Sequence, residues 1–328
     1  MSARRFATSR SALVTGAAGF VGQWLCRLLV REGWNVSGTT LGGPPQTTQI
    51  LSTEERAAVS WIRGDLQDVA TVATAVDGAR PDAVFHLAGV SSIAAAGNDP
   101  RAAFAVNAGI AVDLLHVLGE RRAAGQLDPV VIVVGSAQQY GQHAAAEIPL
   151  DERTTCVPDT FYGASKLAQE VMALEAFRAD GARVICTRSF NHSGRGQSSQ
   201  LLIPALVIRA LALRGEAGAN LELGHQHPVR DFMHVEDVAA AYLALAERGT
   251  SGEVYNVCSG EGVSVGDLAQ EILRACGVSA TLSSVVPFER KADAPALIGR
   301  NDKLRATGWR PRRSRADIIQ DFLHAATH

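Results

Sequence analysis

Lysine is scarce in this chain. Lysine and arginine together number 31, and only Lys166, Lys291 and Lys303 are lysine, which leaves 28 arginines. Aromatics make up 5% and include four tyrosines. No charge of one sign prevails: 31 basic against 33 acidic side chains leave a net charge of −2. That gives no electrostatic case for a nucleic-acid partner or a membrane surface. No uninterrupted apolar stretch approaches the roughly 20 residues of a membrane span. Met1–Arg10 carries three arginines, but the apolar run that follows, Ser11–Val14, is too short for a signal-peptide core. Cysteine pairing is also lacking. Cys26, Cys156, Cys186, Cys258 and Cys276 are scattered with no Cys-x-x-Cys spacing. Free thiols, a reduced cytoplasmic protein and no cysteine metal site are expected. His225-x-His227 and His234 have no acidic or cysteine cluster beside them, so they are expected to be loop histidines and not metal ligands.

What is present stands out against that scarcity. Tyr162-Gly-Ala-Ser-Lys166 puts a phenol and an ammonium four residues apart, one turn apart on one helix face. A phenol titrates near ~10 and is a poor base at neutral pH, and a nearby cation lowers that value. Such a pair can exchange a proton near neutrality. With so few tyrosines and lysines, about 0.04 chance matches to this spacing are expected. The same residues also fit a plain amphipathic helix. In that reading Leu167, Val171, Met172 and Leu174 are core, and Tyr162 and Lys166 are the solvated edge.

The rest of the chain supplies a context. Its 328 residues suffice for one large domain or two modest ones. Ser11–Thr15 reads as a buried strand, Gly16-Ala-Ala-Gly19-Phe-Val-Gly22 as a glycine turn and Trp24–Glu32 as a helix. Glycines serve such a turn where backbone meets a pyrophosphate and where helix packs close on strand. The helix N-terminus then offers N–H groups to phosphate. Five further strands are expected at Trp34–Thr39, Val59–Arg63, Asp82–Leu87, Val130–Val134 and Arg183–Thr187. Helices are expected at Val69–Val76, Pro100–Arg122 and Tyr162–Ala179. Continuously apolar strands separated by helices predict an α/β fold, a Rossmann-type doubly wound parallel sheet. Ligands of such sheets sit outside the strands' carboxyl ends, where Gly16–Gly22, Asp65, Gly89 and Ser136 fall. Beyond about residue 190 the rhythm loosens. Helices at Leu201–Arg214, Val235–Glu247, Val265–Ala275 and Ser314–Ala325 suggest a smaller C-terminal substrate-binding lobe. The expected division is a dinucleotide-binding domain over 1–190 and a lobe over 191–328, with parts of 220–260 returning to the first domain.

Together these motifs resemble a family. Thr15-Gly16-Ala-Ala-Gly19-Phe-Val-Gly22, Asp65-Leu66, His86-Leu-Ala-Gly89, Asn107, Gly135-Ser136-Ala-Gln-Gln-Tyr-Gly141, Tyr162-x-x-x-Lys166 and Arg188-Ser-Phe-Asn191 look like the extended short-chain dehydrogenase/reductases that act on nucleotide sugars. Arg188-Ser-Phe-Asn-His-Ser-Gly-Arg-Gly-Gln197, Val229-Arg-Asp-Phe232, Gly252-Glu-Val-Tyr-Asn-Val-Cys-Ser-Gly260 and Lys303-Leu-Arg-Ala-Thr-Gly-Trp309 are similar to GDP-4-keto-6-deoxy-D-mannose reductases. GDP-mannose 4,6-dehydratases are close relatives of those.

The resemblance implies roles. Tyr162 would be the acid/base, Lys166 would tune it and hold the nicotinamide ribose, and Ser136 would bind the sugar carbonyl. The dinucleotide would lie on Gly16, Ala18, Gly19, Phe20, Val21 and Gly22, with Asp65 and Leu66 flanking adenine and Leu87, Ala88 and Gly89 beside it. Asn191, Arg230, Arg290 and Asp293 would contact the substrate, although surface ion pairing competes for the last three. The second strand runs into Gly38-Thr39-Thr40-Leu41 with no acid for a ribose 2′-OH. Thr39 and Thr40 can donate to a phosphate, which favours NADP(H) over NAD(H) and leaves use of both open. The implied reaction is 4-keto reduction of a nucleotide-linked 4-keto-6-deoxyhexose, GDP-linked, to GDP-D-rhamnose or its 4-epimer. The alternatives are a sister 4,6-dehydratase or 4-epimerase and, more remotely, a non-catalytic NADP-binding regulator. A homodimer through Pro100–Arg122 and Tyr162–Ala179 is implied, and Leu114, Leu115 and Leu118 fit it as well as they fit burial against the sheet.

Three departures stand out. Dehydratases of this family carry an acid two residues after the Ser/Thr, where this chain has Gln138, and an amide has no ionisable proton, so it cannot serve as that base. Arg195 stands where the family has proline. Gly299-Arg300-Asn301-Asp302 replaces the family's Gly-Asp.

Overall fold

A computed structural model describes residues 10–45, 50–143, 147–284 and 294–326. Arg290 and Asp293 lie outside the described residues. The chain first alternates strand and helix: β1 (Ser11–Thr15), α1 (Phe20–Arg31), β2 (Asn35–Thr40), α2 (Thr53–Ala57), β3 (Val59–Arg63), α3 (Val69–Ala79) and β4 (Ala83–His86). Then come α4 (Ile93–Asn98), α5 (Pro100–Phe104), a π turn over Ala105–Gly109, α6 (Ile110–Ala123), β5 (Val130–Ser136), α7 (Phe161–Asp180) and β6 (Val184–Ser189). The remainder is β7 (Asn191–Ser193), α8 (Leu202–Ala212), β8 (Asn220–Leu223), β9 (Val229–His234), α9 (Val235–Arg248), β10 (Val254–Val257), β11 (Gly262–Ser264), α10 (Val265–Cys276), β12 (Thr281–Ser284), β13 (Ala296–Leu297), α11 (Asp302–Ala306) and α12 (Arg315–Ala326).

The main sheet has seven strands in the order β10-β6-β5-β4-β1-β2-β3. The neighbours β1–β2, β2–β3, β1–β4 and β4–β5 are parallel. The expected Rossmann-type sheet is therefore present. Its seventh strand, Val254–Val257, was not among the six expected, because four residues between glycine-rich turns give little period to read.

The chain divides into two compact units that interleave in sequence. One comprises 1–134, 168–186 and 245–253, and the other 135–167, 187–244 and 254–328. In the first, β1, β4 and β5 bury Leu13, Val14, Val84, Phe85 and Ile132, and the helices bury Leu25, Leu29, Val72, Val76 and Leu114. In the second, α8, α10 and α12 enclose Ile203, Leu206, Leu268, Ile272 and Ile318 with Leu221 and Phe232. A small core of Ala137, Tyr140, Leu150, Phe190, Cys258 and Leu297 lies beside the end of β5.

The helical run Pro100–Ala123 is long and apolar enough by composition to cross a membrane, and half of its apolar window is buried in the molecule. Counting uninterrupted apolar residues misses it, because Asn107, Asp113 and His116 break the run. Leu114, Leu115 and Leu118 are buried. Of the two fits open to them, the structure selects packing inside the molecule.

Candidate active site

The glycine turn belongs to the first unit. α1 begins at Phe20, four residues before the expected start, with Gly19 as its N-cap. Gly22 therefore lies in the first helical turn. A Cβ at Gly22 would come 2.3 Å from the Gly16 carbonyl oxygen, and one at Gly16 would come 2.9 Å from the Ala88 nitrogen. Gly16 also has φ +68°, which favours glycine. The three segments approach too closely for side chains, and the result is a backbone cradle at a helix N-terminus. A pyrophosphate fits that donor set, since the first amides of a helix are beyond reach of its own carbonyls.

Hydroxyls and amides hold the cradle in place. The Thr15 hydroxyl accepts the Leu87 and Ala88 amides, each at 3.1 Å, and lies 2.9 Å from His86 Nδ1. With two amides already given to its oxygen, its proton goes to that nitrogen. Asn107 Oδ1 accepts the Val90 amide at 2.8 Å from the π turn. Gln23 Nε2 donates to the Ala18 carbonyl at 3.0 Å. Thr39 and Thr40 are buried. Thr39 Oγ1 accepts the Gly16 amide at 3.3 Å, and Thr40 Oγ1 donates to the Gly43 carbonyl at 2.9 Å. Both threonines thus tie down loops. Asp65 is exposed and accepts the Gln67 amide at 3.0 Å, and Leu66 beside it is buried.

Ser136, Tyr162 and Lys166 belong to the second unit. Ser136 ends β5 and caps a one-turn 3-10 helix, Ala137–Gln139. Its Oγ accepts the Gln138 amide at 3.2 Å, and its own amide donates to Gln139 Oε1 at 2.8 Å. Tyr162 is the second residue of α7 and is hydrogen-bonded to Ser136. Burial pushes the phenol above its ordinary range, and the Ser136 bond pulls it partly back. Lys166 is 5% exposed, and burial lowers its ammonium to about 8. On α7 the plain amphipathic reading is reversed. Lys166 is buried, and Val171 and Met172 are 50% and 39% exposed.

Asn191 and Arg230 lie on a separate four-stranded sheet, in the order β11-β9-β13 with β7 paired to β9. Asn191 on β7 pairs with Phe232 of β9. Arg230 on β9 donates to the Val229 and Ala294 carbonyls at 2.9 and 2.8 Å. Its neighbour Asp231 is buried, and burial raises its carboxyl despite the donors it holds. Those donors are the Ser259 amide and hydroxyl at 2.9 and 2.6 Å, the Gly260 amide at 2.9 Å and the Gly299 amide at 3.5 Å.

The later motifs mainly hold structure together. Lys303 Nζ donates to the Val254 carbonyl at 2.6 Å and lies over the Tyr255 ring. Asn301 Nδ2 donates to the Cys258 and Ser259 carbonyls at 3.0 and 2.9 Å. The Arg195 amide donates to Asp321 Oδ2 at 2.9 Å, a bond that proline could not make. His234 is not the expected loop histidine: it ends β9 and is buried, its Nδ1 accepts the Glu236 amide at 3.1 Å, and its Nε2 proton faces Asp321 at 3.2 Å. His225 and His227 are exposed.

Sequence reasoning passed over Gln139. Its side chain is fully buried, yet Ser136-x-x-Gln139 is a capping-box pattern that can be read directly.

Comparison with known proteins places these features. Residues 12–258 match the model of the NAD dependent epimerase/dehydratase family. The chain is 34% identical over 233 residues to the GDP-6-deoxy-D-mannose reductase of Pseudomonas aeruginosa, covering 70% of this chain and 75% of the other. It is 30% identical over 335 residues to the UDP-glucose 4-epimerase of Azospirillum brasilense, covering 95% and 90%. The structure of RMD from Pseudomonas aeruginosa complexed with NADPH superposes with a TM-score of 0.78 at 28% identity, covering 96% and 98%. With its seven-stranded sheet, its glycine cradle and a family match over most of its length, this chain belongs to the NAD dependent epimerase/dehydratase family, the extended short-chain dehydrogenase/reductases.

Proposed function

We propose that this protein reduces the 4-keto group of a nucleotide-linked 4-keto-6-deoxyhexose, GDP-4-keto-6-deoxy-D-mannose, to GDP-D-rhamnose or its 4-epimer. The observation that carries the reading is the Ser136–Tyr162 hydrogen bond with Lys166 one helical turn on, beside a turn that bears Gln138 and no carboxylate. The 34% identity to a GDP-6-deoxy-D-mannose reductase supports it.

NADP(H) is the proposed cofactor, with NAD(H) as the second choice, and it supplies the hydride. Gly16, Ala18, Gly19, Phe20, Val21 and Gly22 would hold its pyrophosphate. Asp65, Leu66, Leu87, Ala88 and Gly89 would line the adenosine side, and Thr39 and Thr40 the ribose phosphate. Ser136 would donate to the ketone oxygen. Tyr162 would give its proton to the oxygen as negative charge develops there. Lys166 would favour the resulting phenolate. Asn191 and Arg230 would orient the substrate, and a guanidinium suits its diphosphate. Under this reading residues 1–190 bind cofactor and 191–328 mainly bind substrate.

A cytoplasmic homodimer is also proposed. Val112 on α6 and Val171, Met172 and Phe177 on α7 are exposed apolar side chains a second copy would cover, and light scattering tests it.

The second reading is a 4-epimerase, favoured by the 30% identity across 95% of the chain to a UDP-glucose 4-epimerase. An epimerase regenerates its own nicotinamide and needs no added reductant. Incubation with UDP-glucose alone, followed by sugar analysis, separates the two. The reductase reading predicts unchanged UDP-glucose, and conversion to UDP-galactose overturns it.

A further inference from the structure

We propose that Gln139 is a positioning residue for Ser136: its buried carboxamide fixes the turn from which the serine hydroxyl meets Tyr162. The proposal rests on Ser136 and Tyr162 being the reacting pair.

The geometry is local and specific. Gln139 Oε1 accepts the Ser136 amide at 2.8 Å, and Ser136 Oγ accepts the Gln138 amide at 3.2 Å. The Ser136 side chain also accepts the Gln139 amide, which closes a reciprocal capping box on a helix of only three residues, Ala137–Gln139. So short a helix has almost no ladder of its own, and the side chain supplies its order. Space is reserved for the carboxamide. A Cβ at Gly135 would come 2.2 Å from Gln139 Oε1 and 2.4 Å from the Thr187 carbonyl oxygen. A glycine at 135 is what lets the amide reach back.

The same turn seats the helix that carries Tyr162. A Cβ at Gly163 would come 2.3 Å from the Gln138 carbonyl oxygen. The carboxamide, the serine and the first turn of α7 are therefore in register. An apolar side chain at 139 would fill the space but leave the buried Ser136 amide without its acceptor. That amide would then be satisfied only if the turn moved, and Ser136 Oγ would move with it.

The test uses the full-length protein with Gln139→Leu, and Gln139→Met as a second apolar substitute should the first not fold. Gln139→Glu is the conservative variant, since it keeps an acceptor oxygen at the same reach. Two readouts are taken. One is steady-state reduction of the 4-keto nucleotide sugar. The other is the Tyr162 ionisation step, read as near-ultraviolet tyrosinate absorbance against a Tyr162→Phe background; it needs no substrate. We expect the apolar variants to lose kcat by roughly 30-fold, with KM within about threefold of wild type. The Tyr162 step should move upward by about one pH unit as the Ser136 bond loosens. Gln139→Glu should keep kcat within about threefold. An unmoved Tyr162 step, or a Glu variant as impaired as the apolar ones, overturns the proposal. If wild type does not turn over the sugar, the proposed reaction fails, and the tyrosine titration alone still decides the role of Gln139.

Discussion

Gly163 rests against the carbonyl oxygen of Gln138: a Cβ there would sit 2.3 Å away, and 3.1 Å from the Pro158 side chain. The first turn of α7 is thus seated on the turn that follows Ser136. The glycine between Tyr162 and Lys166 is a contact surface and not a spacer.

Gly163→Ala should therefore cost about 1–3 kcal/mol of stability through overpacking. It should also lower kcat by roughly tenfold or more, as Tyr162 is pushed off Ser136. Gly97→Ala is the control, because nothing lies within 4 Å of a Cβ at Gly97. Urea melts and single-turnover rates on both variants check this. Equal behaviour of the two would refute the seating.

Lys166 makes stability depend on pH. Burial lowers its ammonium to about 8, against an ordinary value of 10.5. Between those values the unfolded chain binds more protons than the folded one, so stability rises with pH there. The penalty is fully present below about pH 8 and fades towards pH 10.5; it amounts to about 3 kcal/mol. Lys166→Met should be more stable than wild type at pH 7, and the gap should close by pH 10.5. Denaturation of the cofactor-free proteins at several pH values measures it, and a gap independent of pH would contradict the burial argument.

Asp231 should prove structural. Its carboxylate accepts the Ser259 amide and hydroxyl and the Gly260 amide. Asp231→Ala strands these donors and should destabilise by roughly 2–4 kcal/mol. Asp231→Asn, which keeps one acceptor oxygen, should lose less. Thermal melts rank the three proteins, and an Asn variant worse than the Ala variant would sink the idea.

The first half of the fold was legible because its strands are continuously apolar and its turns carry glycine. Ser11–Thr15 and Val59–Arg63 coincide with the observed strands. The start of α1 was misread because Gly19-Phe-Val-Gly22 looks like loop, whereas Gly22 is a helical residue in close contact with the Gly16 carbonyl. β7–β13 were not read, since most span two to four residues and carry no usable period, and the six residues of β9, Val-Arg-Asp-Phe-Met-His, do not alternate apolar with polar. At the candidate site, residue types and spacing pointed to Ser136, Tyr162 and Lys166. Their environments were not legible. A lysine is exposed by default, and only the packed structure shows Lys166 buried. Gln139 reads as one more polar turn residue until its oxygen is seen on the Ser136 amide.

The most direct measurement is NADPH oxidation, followed at the nicotinamide absorbance band, with GDP-4-keto-6-deoxymannose generated in place by a dehydratase. The account predicts turnover by wild type, loss of at least ~100-fold in Tyr162→Phe and a 6-deoxyhexose product by NMR. NADPH binding without turnover in wild type, or full activity in Tyr162→Phe, would contradict it.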